Sequence, residues 1–244
     1  MELYNEDCFK VLPTIADKSV DMICVDLPYG TTDVYWDTPL CLDTLWQHYK
    51  RILSDKGCVV LFGCQPFTSK LVTSNLKWFK QVLIWNKNKC GSPGLANVRP
   101  MQVHEDIVIF APGRTIYNPQ MEKGEPYSRK STSPDGYKER CNTHGYGMKI
   151  QNEFVNTGTR YPKSIVNISR NFSAQQQLHP TQKPVPLLEW LIKTYSNEHD
   201  TVLDHCMGIG TCGVAAVKNN RRFIGVEMQK DYFDIAFELI TKEK

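Results

Sequence analysis

The chain has 244 residues, 41% hydrophobic and 23% charged, with a net charge of +3, so it can bury one full-sized core and is neither low-complexity nor a disordered tail. Its longest strongly apolar runs, "CVVLF" and "QVLIW", fall far below the roughly 18 residues that cross a bilayer. The acidic, polar start "MELYNEDCFK" lacks a signal peptide's basic and apolar regions, so a cytoplasmic protein without membrane association is expected.

In chain order, "VDMICVDLPY" reads as a strand and "CLDTLWQHYKRILSDKG" as an amphipathic helix closing at Gly57. "CVVLFG" follows as a strand, "PFTSKLVTSNLKW" as a helix, and "FKQVLIWNK" and "EDIVIFAPG" as further strands. This rhythm predicts an α/β sheet with right-handed crossovers. From Ala111 the pattern breaks. Residues 112–178 are rich in Gly, Pro, Ser, Thr and Asn and hold ten Lys/Arg against five Asp/Glu, a balance of +5, whereas the remainder holds 19 against 21. A periodic helix returns at "PVPLLEWLIKTYS", then "DTVLDHC" as strand, "TCGVAAVKNN" as helix, "RRFIGVE" as strand and "KDYFDIAFELITK" as helix. The expected organisation is one domain whose two halves, 1–111 and 179–244, bracket a basic insert at 112–178.

Nine cysteines, at 8, 24, 41, 58, 64, 90, 141, 206 and 212, include no C-x-x-C pair. That excludes a zinc ribbon and a disulfide framework and fits a reducing compartment. "HED" at 104–106 lacks the second histidine of a zinc protease helix, since position 108 is valine. No metal site is expected.

"TVLDHCMGIGTCGVAAVKNNRRFIGVE" places a strand, a tight turn, a helix of small residues and a second strand ending on an acid within 27 residues. Gly208, Gly210 and Gly213 have the G-x-G-x-x-G spacing, which lets the backbone turn sharply and approach a ligand at the start of a helix. Glu227 closes the second strand, where an acid can accept hydrogen bonds from both hydroxyls of a ribose. A purely structural turn would need the glycines but not the terminal acid. NAD fits poorly, because only 17 residues follow Glu227, too few for a second nucleotide-binding half. S-adenosylmethionine needs a single adenosine site and is the expected cofactor.

"DLPYG" at 26–30 sets a carboxylate and a flat ring side by side where a strand runs out. One reading is a plain turn with Asp26 capping a helix. The other is capture of an amino-bearing base. The lone pair of an exocyclic amine is delocalised into the ring. Hydrogen bonds from both amino protons to fixed acceptors localise it and aim it at a methyl donor. Asp26 and a backbone carbonyl supply the acceptors, and Tyr29 stacks on a base flipped from its duplex.

With these motifs in place, the chain resembles the amino-group DNA methyltransferases of the beta arrangement, in which the catalytic tetrapeptide precedes the target-recognition region and the cofactor loop comes last. "DLPYG" resembles the (D/N/S)-P-P-Y motif, "HPTQKP" at 179–184 the segment before the cofactor strand, and "DHCMGIGT" the D-x-F-x-G-x-G-T loop. The resemblance implies a Rossmann-like α/β methyltransferase sheet in permuted order. It assigns Asp26, Leu27, Pro28 and Tyr29 to the target amine and base, with the Leu27 carbonyl as second acceptor. Around the cofactor it implies Asp204, Gly208, Gly210 and Thr211, with Asp26 nearby. It adds Glu227 on the ribose, Lys183 as the cation for the methionine carboxylate, and Asp7 and Cys8 on the adenine ring. Two positions depart from the family pattern. Leu27 stands in place of proline, keeping the carbonyl but not the fixed φ, and Cys206 stands in place of phenylalanine.

The basic insert is then expected to grip DNA, with Tyr117, Tyr127, Tyr137, Tyr146 and Tyr161 stacking or hydrogen-bonding; its alternative is a solvated surface loop. The expected reaction is methyl transfer to N6 of adenine in DNA. Its nearest rival is N4 of cytosine, followed by RNA or protein-glutamine methylation and by a silent DNA-binding subunit. Cytosine C5 chemistry needs a nucleophilic cysteine, normally after proline, and no Pro-Cys occurs. A homodimer is an open expectation of the resemblance.

Overall fold

The computed structural model describes residues 1–30, 38–90, 93–130, 153–170 and 182–243. The chain begins with β1 (Glu2–Tyr4), α1 (Cys8–Val11), β2 (Val20–Val25), α2 (Leu42–Ile52) and β3 (Leu53–Gly63). It continues through α3 (Phe67–Ser74), β4 (Phe79–Asn86) and β5 (His104–Phe110). Four short strands follow, β6 (Glu122–Lys123), β7 (Tyr127–Lys130), β8 (Glu153–Asn156) and β9 (Thr159–Arg160), then β10 (Ile165–Asn167). The last elements are α4 (Val185–Tyr195), β11 (Thr201–Asp204), α5 (Thr211–Lys218), β12 (Arg222–Val226) and α6 (Lys230–Thr241).

Among the described residues, eight strands form the main sheet in the order β1-β12-β11-β2-β3-β5-β4-β10. Pairing is parallel from β1 to β3 and between β4 and β10, whereas β5 runs antiparallel to both β3 and β4. The sheet is therefore mixed, where the strand–helix rhythm predicts crossovers throughout. The reason lies between β4 and β5, where no crossover helix is present among the described residues; an antiparallel return requires none.

Strand side chains alternate between two cores. Met22, Cys24, Val60, Phe62, Ile107, Val202 and Phe223 join α4, α5 and α6 on one face. Ile23, Val25, Val59, Leu61, Val108 and Leu203 join α1, α2 and α3 on the other. Strands buried on both faces explain the near-continuous apolar runs of the sequence. In α2, Leu45, Trp46, Tyr49 and Ile52 are buried, the spacing of a single helical face.

Helix α2 does not reach Gly57 as its sequence suggests. It ends at Ile52, and Leu53 turns into extended backbone and begins β3. Gly57 is needed for a close approach, since a Cβ there would stand 2.8 Å from the carbonyl oxygen of Asp21.

The chain divides into two compact units, Met1–Asn118 with Lys163–Lys244, and Pro119–Pro162. In the second, β6 pairs with β9 and β7 with β8, both antiparallel. The guanidinium of Arg160 sits 4.7 Å over the Tyr127 ring and donates to the Glu125 carbonyl. The segment 112–178 therefore divides, since β10 within it belongs to the main sheet.

Candidate active site

Strands β1, β12, β11 and β2 run parallel, so their carboxyl ends meet on one edge of the sheet. The chain leaves β11 toward β12 through α5 and leaves β2 toward β3 through α2, in opposite directions along the sheet. Between β11 and β2 lies a switch point of the kind at which open α/β sheets bind ligands. Asp204 ends β11, Asp26 directly follows β2 and Glu227 directly follows β12. A cavity of about 610 Å³ covers all three, within the ~300–1,000 Å³ usual for small-molecule sites.

At one side of the cavity stands the "DLPY" segment. Asp26 Oδ1 accepts the Tyr29 hydroxyl at 2.7 Å, and the Tyr29 ring stacks on Phe67 with centroids 4.9 Å apart. Leu27 is buried and packs in the core beneath, while Pro28 reaches the cavity wall. Lys183 lies 2.7 Å from Asp26 Oδ2 and 2.9 Å from Glu105 Oε2, and Lys87 lies 3.0 Å from Glu105 Oε1. Lys183 also rests 5.0 Å from the centre of the Phe62 ring. Four charges of alternating sign thus form one largely buried chain.

Burial pushes the Asp26 carboxyl up, with Lys183 opposing. Burial acts on Glu105 in the same sense, but Lys183 and Lys87 outweigh it and hold Glu105 down at about 2. For Lys183, burial disfavours the charge, and the two carboxylates more than compensate and raise its pKa.

At the other side is the glycine turn. Gly208 has φ 52°, and a Cβ added there would find no atom within 4 Å, so the backbone faces open space. Glu227 Oε2 accepts from the Gly208 amide at 2.9 Å and Oε1 from the Gln229 amide at 2.8 Å. The acid is thus pinned across the turn, with burial raising its pKa. Asn5 reaches from the end of β1 to donate to the Glu227 carbonyl at 2.9 Å. Thr211, the first residue of α5, lines the cavity. Gly210, at φ 79°, supports the turn from behind: a Cβ there would meet Ala236 of α6 at 2.8 Å.

Asp204 is buried, accepts from the Cys206 amide at 3.1 Å, and is pushed by burial to about 8. Asp7 caps α1, accepting from the Phe9 amide at 2.8 Å, and Cys8 follows it on the cavity wall. A hydrogen bond from Cys206 lowers the pKa of the Cys8 thiol.

Of the residues that the resemblance assigns to the target amine, base and cofactor, all except Gly210 lie on this cavity; Gly213, Tyr117, Tyr127 and Tyr161 do not. Sequence reasoning missed Glu105, the partner of Lys183, and His205, whose Nε2 lies 2.6 Å from the Tyr49 hydroxyl. Glu105 had one signal, a charged residue opening the apolar strand "EDIVIF". Tyr137, Tyr146 and residues 179–181 of "HPTQKP" lie outside the described residues. No helix among the described residues is long and apolar enough to cross a membrane.

A family model described as DNA methylase, of the N6 and N4 type, matches residues 20–238. The type II methyltransferase M.HpaI of Haemophilus parainfluenzae is 26% identical over 99% of this chain and 74% of its own length. The type II methyltransferase M.HinfI of Haemophilus influenzae is 25% identical over 98% of this chain and 67% of its own. Among solved structures, an M1.HpyAVI–SAM complex aligns over 98% of both chains at 21% identity and a TM-score of 0.64. The PvuII DNA methyltransferase, described as cytosine-N4-specific, aligns over 99% of this chain and 90% of its own at 16% identity and a TM-score of 0.69.

Proposed function

Since the chain belongs to the N6/N4 family of DNA methylases, we propose that it transfers the methyl group of S-adenosylmethionine to the N6 amine of adenine in DNA. The observation that carries this reading is a single cavity with Asp26 and Tyr29 on one side and Glu227 with the open Gly208 turn on the other. Its residues fit the cofactor. Glu227 is held rigidly by two amides and retains lone pairs for a ribose, and the missing side chain at Gly208 leaves room beside it. Asp7 and Cys8 would border the adenine, and Asp204 and Thr211 the methionine portion. Bound there, S-adenosylmethionine supplies an electrophilic sulfonium methyl.

The chain's own groups do the rest. Asp26 and the Leu27 carbonyl accept the two amine protons, which concentrates the nitrogen lone pair. Tyr29, backed by Phe67, stacks on the flipped base. With the cofactor bound, the amine held in this way would be aimed at its methyl group, and an Asp26 oxygen would take up the proton that the methylated nitrogen sheds. The second unit, with exposed Lys123, Tyr127 and Tyr161, suits contact with phosphates and bases. A cytoplasmic setting and a homodimer come with the same reading, the latter open to light scattering of the purified protein.

The test is incubation with labelled cofactor and random-sequence DNA, followed by mass spectrometry of the nucleosides, with Asp26→Ala as the blank. N6-methyladenine is expected. A second reading is cytosine N4, the specificity stated for the PvuII enzyme whose fold this chain shares; dominant N4-methylcytosine would change the base and keep the mechanism. Absence of any methylated nucleoside would overturn both.

A further inference from the structure

The cation expected to serve the methionine carboxylate is divided between two acids. Lys183 lies 2.7 Å from Asp26 and 2.9 Å from Glu105. Glu105 is the first carboxylate of β5, remote in sequence from the "DLPY" segment and outside the three motifs that carry the family resemblance. Building a second buried acid beside Asp26 is costly, because like charges at close range raise one another's free energy. Its neighbours show that it is held ionised. Lys87 lies 3.0 Å from its other oxygen, and the side chains of Lys87 and Glu105 are only 14% and 17% exposed.

The groups that face Asp26 come from four places. Tyr29 donates from its own loop, Lys183 from the segment before α4, Glu105 bears on it from β5, and Asp204 from the end of β11. Behind Glu105 stand Lys87, just past β4, and Cys64, just past β3. Of these, Lys183 is the one cation in direct contact with Asp26 among the described residues. Undivided, a buried ammonium at hydrogen-bond distance would neutralise the carboxylate and weaken it as an acceptor. An acceptor that must concentrate the lone pair of a target amine works better when that cation is shared.

We infer that Glu105 is a positioning residue that draws Lys183 partly off Asp26, so that Lys183 still supports the carboxylate while Asp26 stays a strong acceptor toward the target amine. Lys87 sets how hard Glu105 pulls. The inference rests on the methyl-transfer reading for its purpose, but the charge-sharing itself is a property of the protein alone.

The opposing signs of three substitutions test it. The carboxyl carbon of Asp26 is followed by NMR through a pH titration of the cofactor-free protein labelled at aspartate, with Asp26→Asn providing the assignment. Glu105→Gln releases Lys183 to Asp26 and removes a like charge, so the Asp26 midpoint should fall by about one unit or more, the usual scale for a neighbouring charge. Lys183→Gln should raise it. Lys87→Gln should also raise it, because Glu105 then pulls on Lys183 alone. Glu105→Asp should return the midpoint toward that of the wild type. In turnover, Glu105→Gln should lower kcat several-fold with the KM for DNA unchanged and the acid limb of the pH profile moved down.

A midpoint that stays or rises in Glu105→Gln overturns the inference, as does a fall in Lys87→Gln; the second variant decides if the first does not fold. The two readings fail separately. Wild-type protein that methylates DNA while the midpoints do not move sinks the positioning role only. Midpoints that move as expected in a protein that transfers no methyl group sink the proposed function only.

Discussion

The hydroxyl of Tyr29 donates to Asp26 Oδ1 across 2.7 Å while its ring lies flat against Phe67. One side chain therefore fixes the rotation of the carboxylate and offers a backed surface for a base. The two roles separate by mutation. Tyr29→Phe keeps the ring and loses only the hydrogen bond, so transfer should slow within about tenfold, the ~1.5 kcal/mol scale of one bond to a charged group. Tyr29→Ala should cost a further ~1–3 kcal/mol, the value of base stacking. Single-turnover methylation of a fixed duplex measures both. Equal rates for the two variants would remove stacking from the mechanism.

Glu227 is already bonded to the amides of Gly208 and Gln229, so it is oriented before any ligand arrives. Glu227→Ala should weaken binding of S-adenosylmethionine or its demethylated product by roughly 1.5–3 kcal/mol, read by calorimetry. For the unmodified protein, either ligand should raise the melting temperature and NAD should not. Stabilisation by NAD alone would reassign the cavity.

Asp204 titrates at about 8 because it is buried, well above the ~3.9 of an exposed aspartate. The folded protein therefore holds a proton that the unfolded chain has lost between those values. Its stabilising contribution is complete below the unfolded pKa and is lost as pH rises toward the folded one, at up to ~1.4 kcal/mol per unit. Asp204→Asn, which keeps the shape and cannot ionise, should flatten the fall in stability between about pH 4 and pH 8. Urea titrations at several pH values measure it. An unchanged slope would mean the carboxyl titrates normally.

The basic segment should reveal itself through salt. Neutralising Arg114, Lys123, Arg129, Lys130, Lys138 and Arg140 together should weaken DNA binding and flatten its dependence on salt, while cofactor affinity stays intact. Lys138 and Arg140 lie outside the described residues, so this rests on their charge. Arg160 is left unchanged in this set because it holds Tyr127 and the Glu125 carbonyl within the second unit. A salt slope that does not move would put the DNA-gripping surface elsewhere.

The elements most legible in the sequence were those whose signal is local. The strand before "DLPYG" and the strand–turn–helix–strand around Gly208 announce themselves within a few residues, and their tips meet on one cavity. Short elements that exist only by pairing were not legible. Glu2–Tyr4 and Ile165–Asn167 have three residues each and become strands against β12 and β4. The sequence extends helix α2 to Gly57 because glycine is a common helix stop, whereas there it serves a close backbone approach. Glu105 was missed because its meaning lies in Lys183, 78 positions later.

The pairing of Met22 with Val202 in adjacent strands also has a consequence for the chain as it is made. At the usual ~5–20 residues per second, about 10 to 35 s separate the synthesis of those two residues. Through that interval one edge of β2 has no native partner, and unpaired edges invite association with other chains. The acid proposed to accept the target amine is therefore translated well before the strand that borders it. Until β11 is made, a growing chain has the acid at the end of β2 but not the far wall of its cavity.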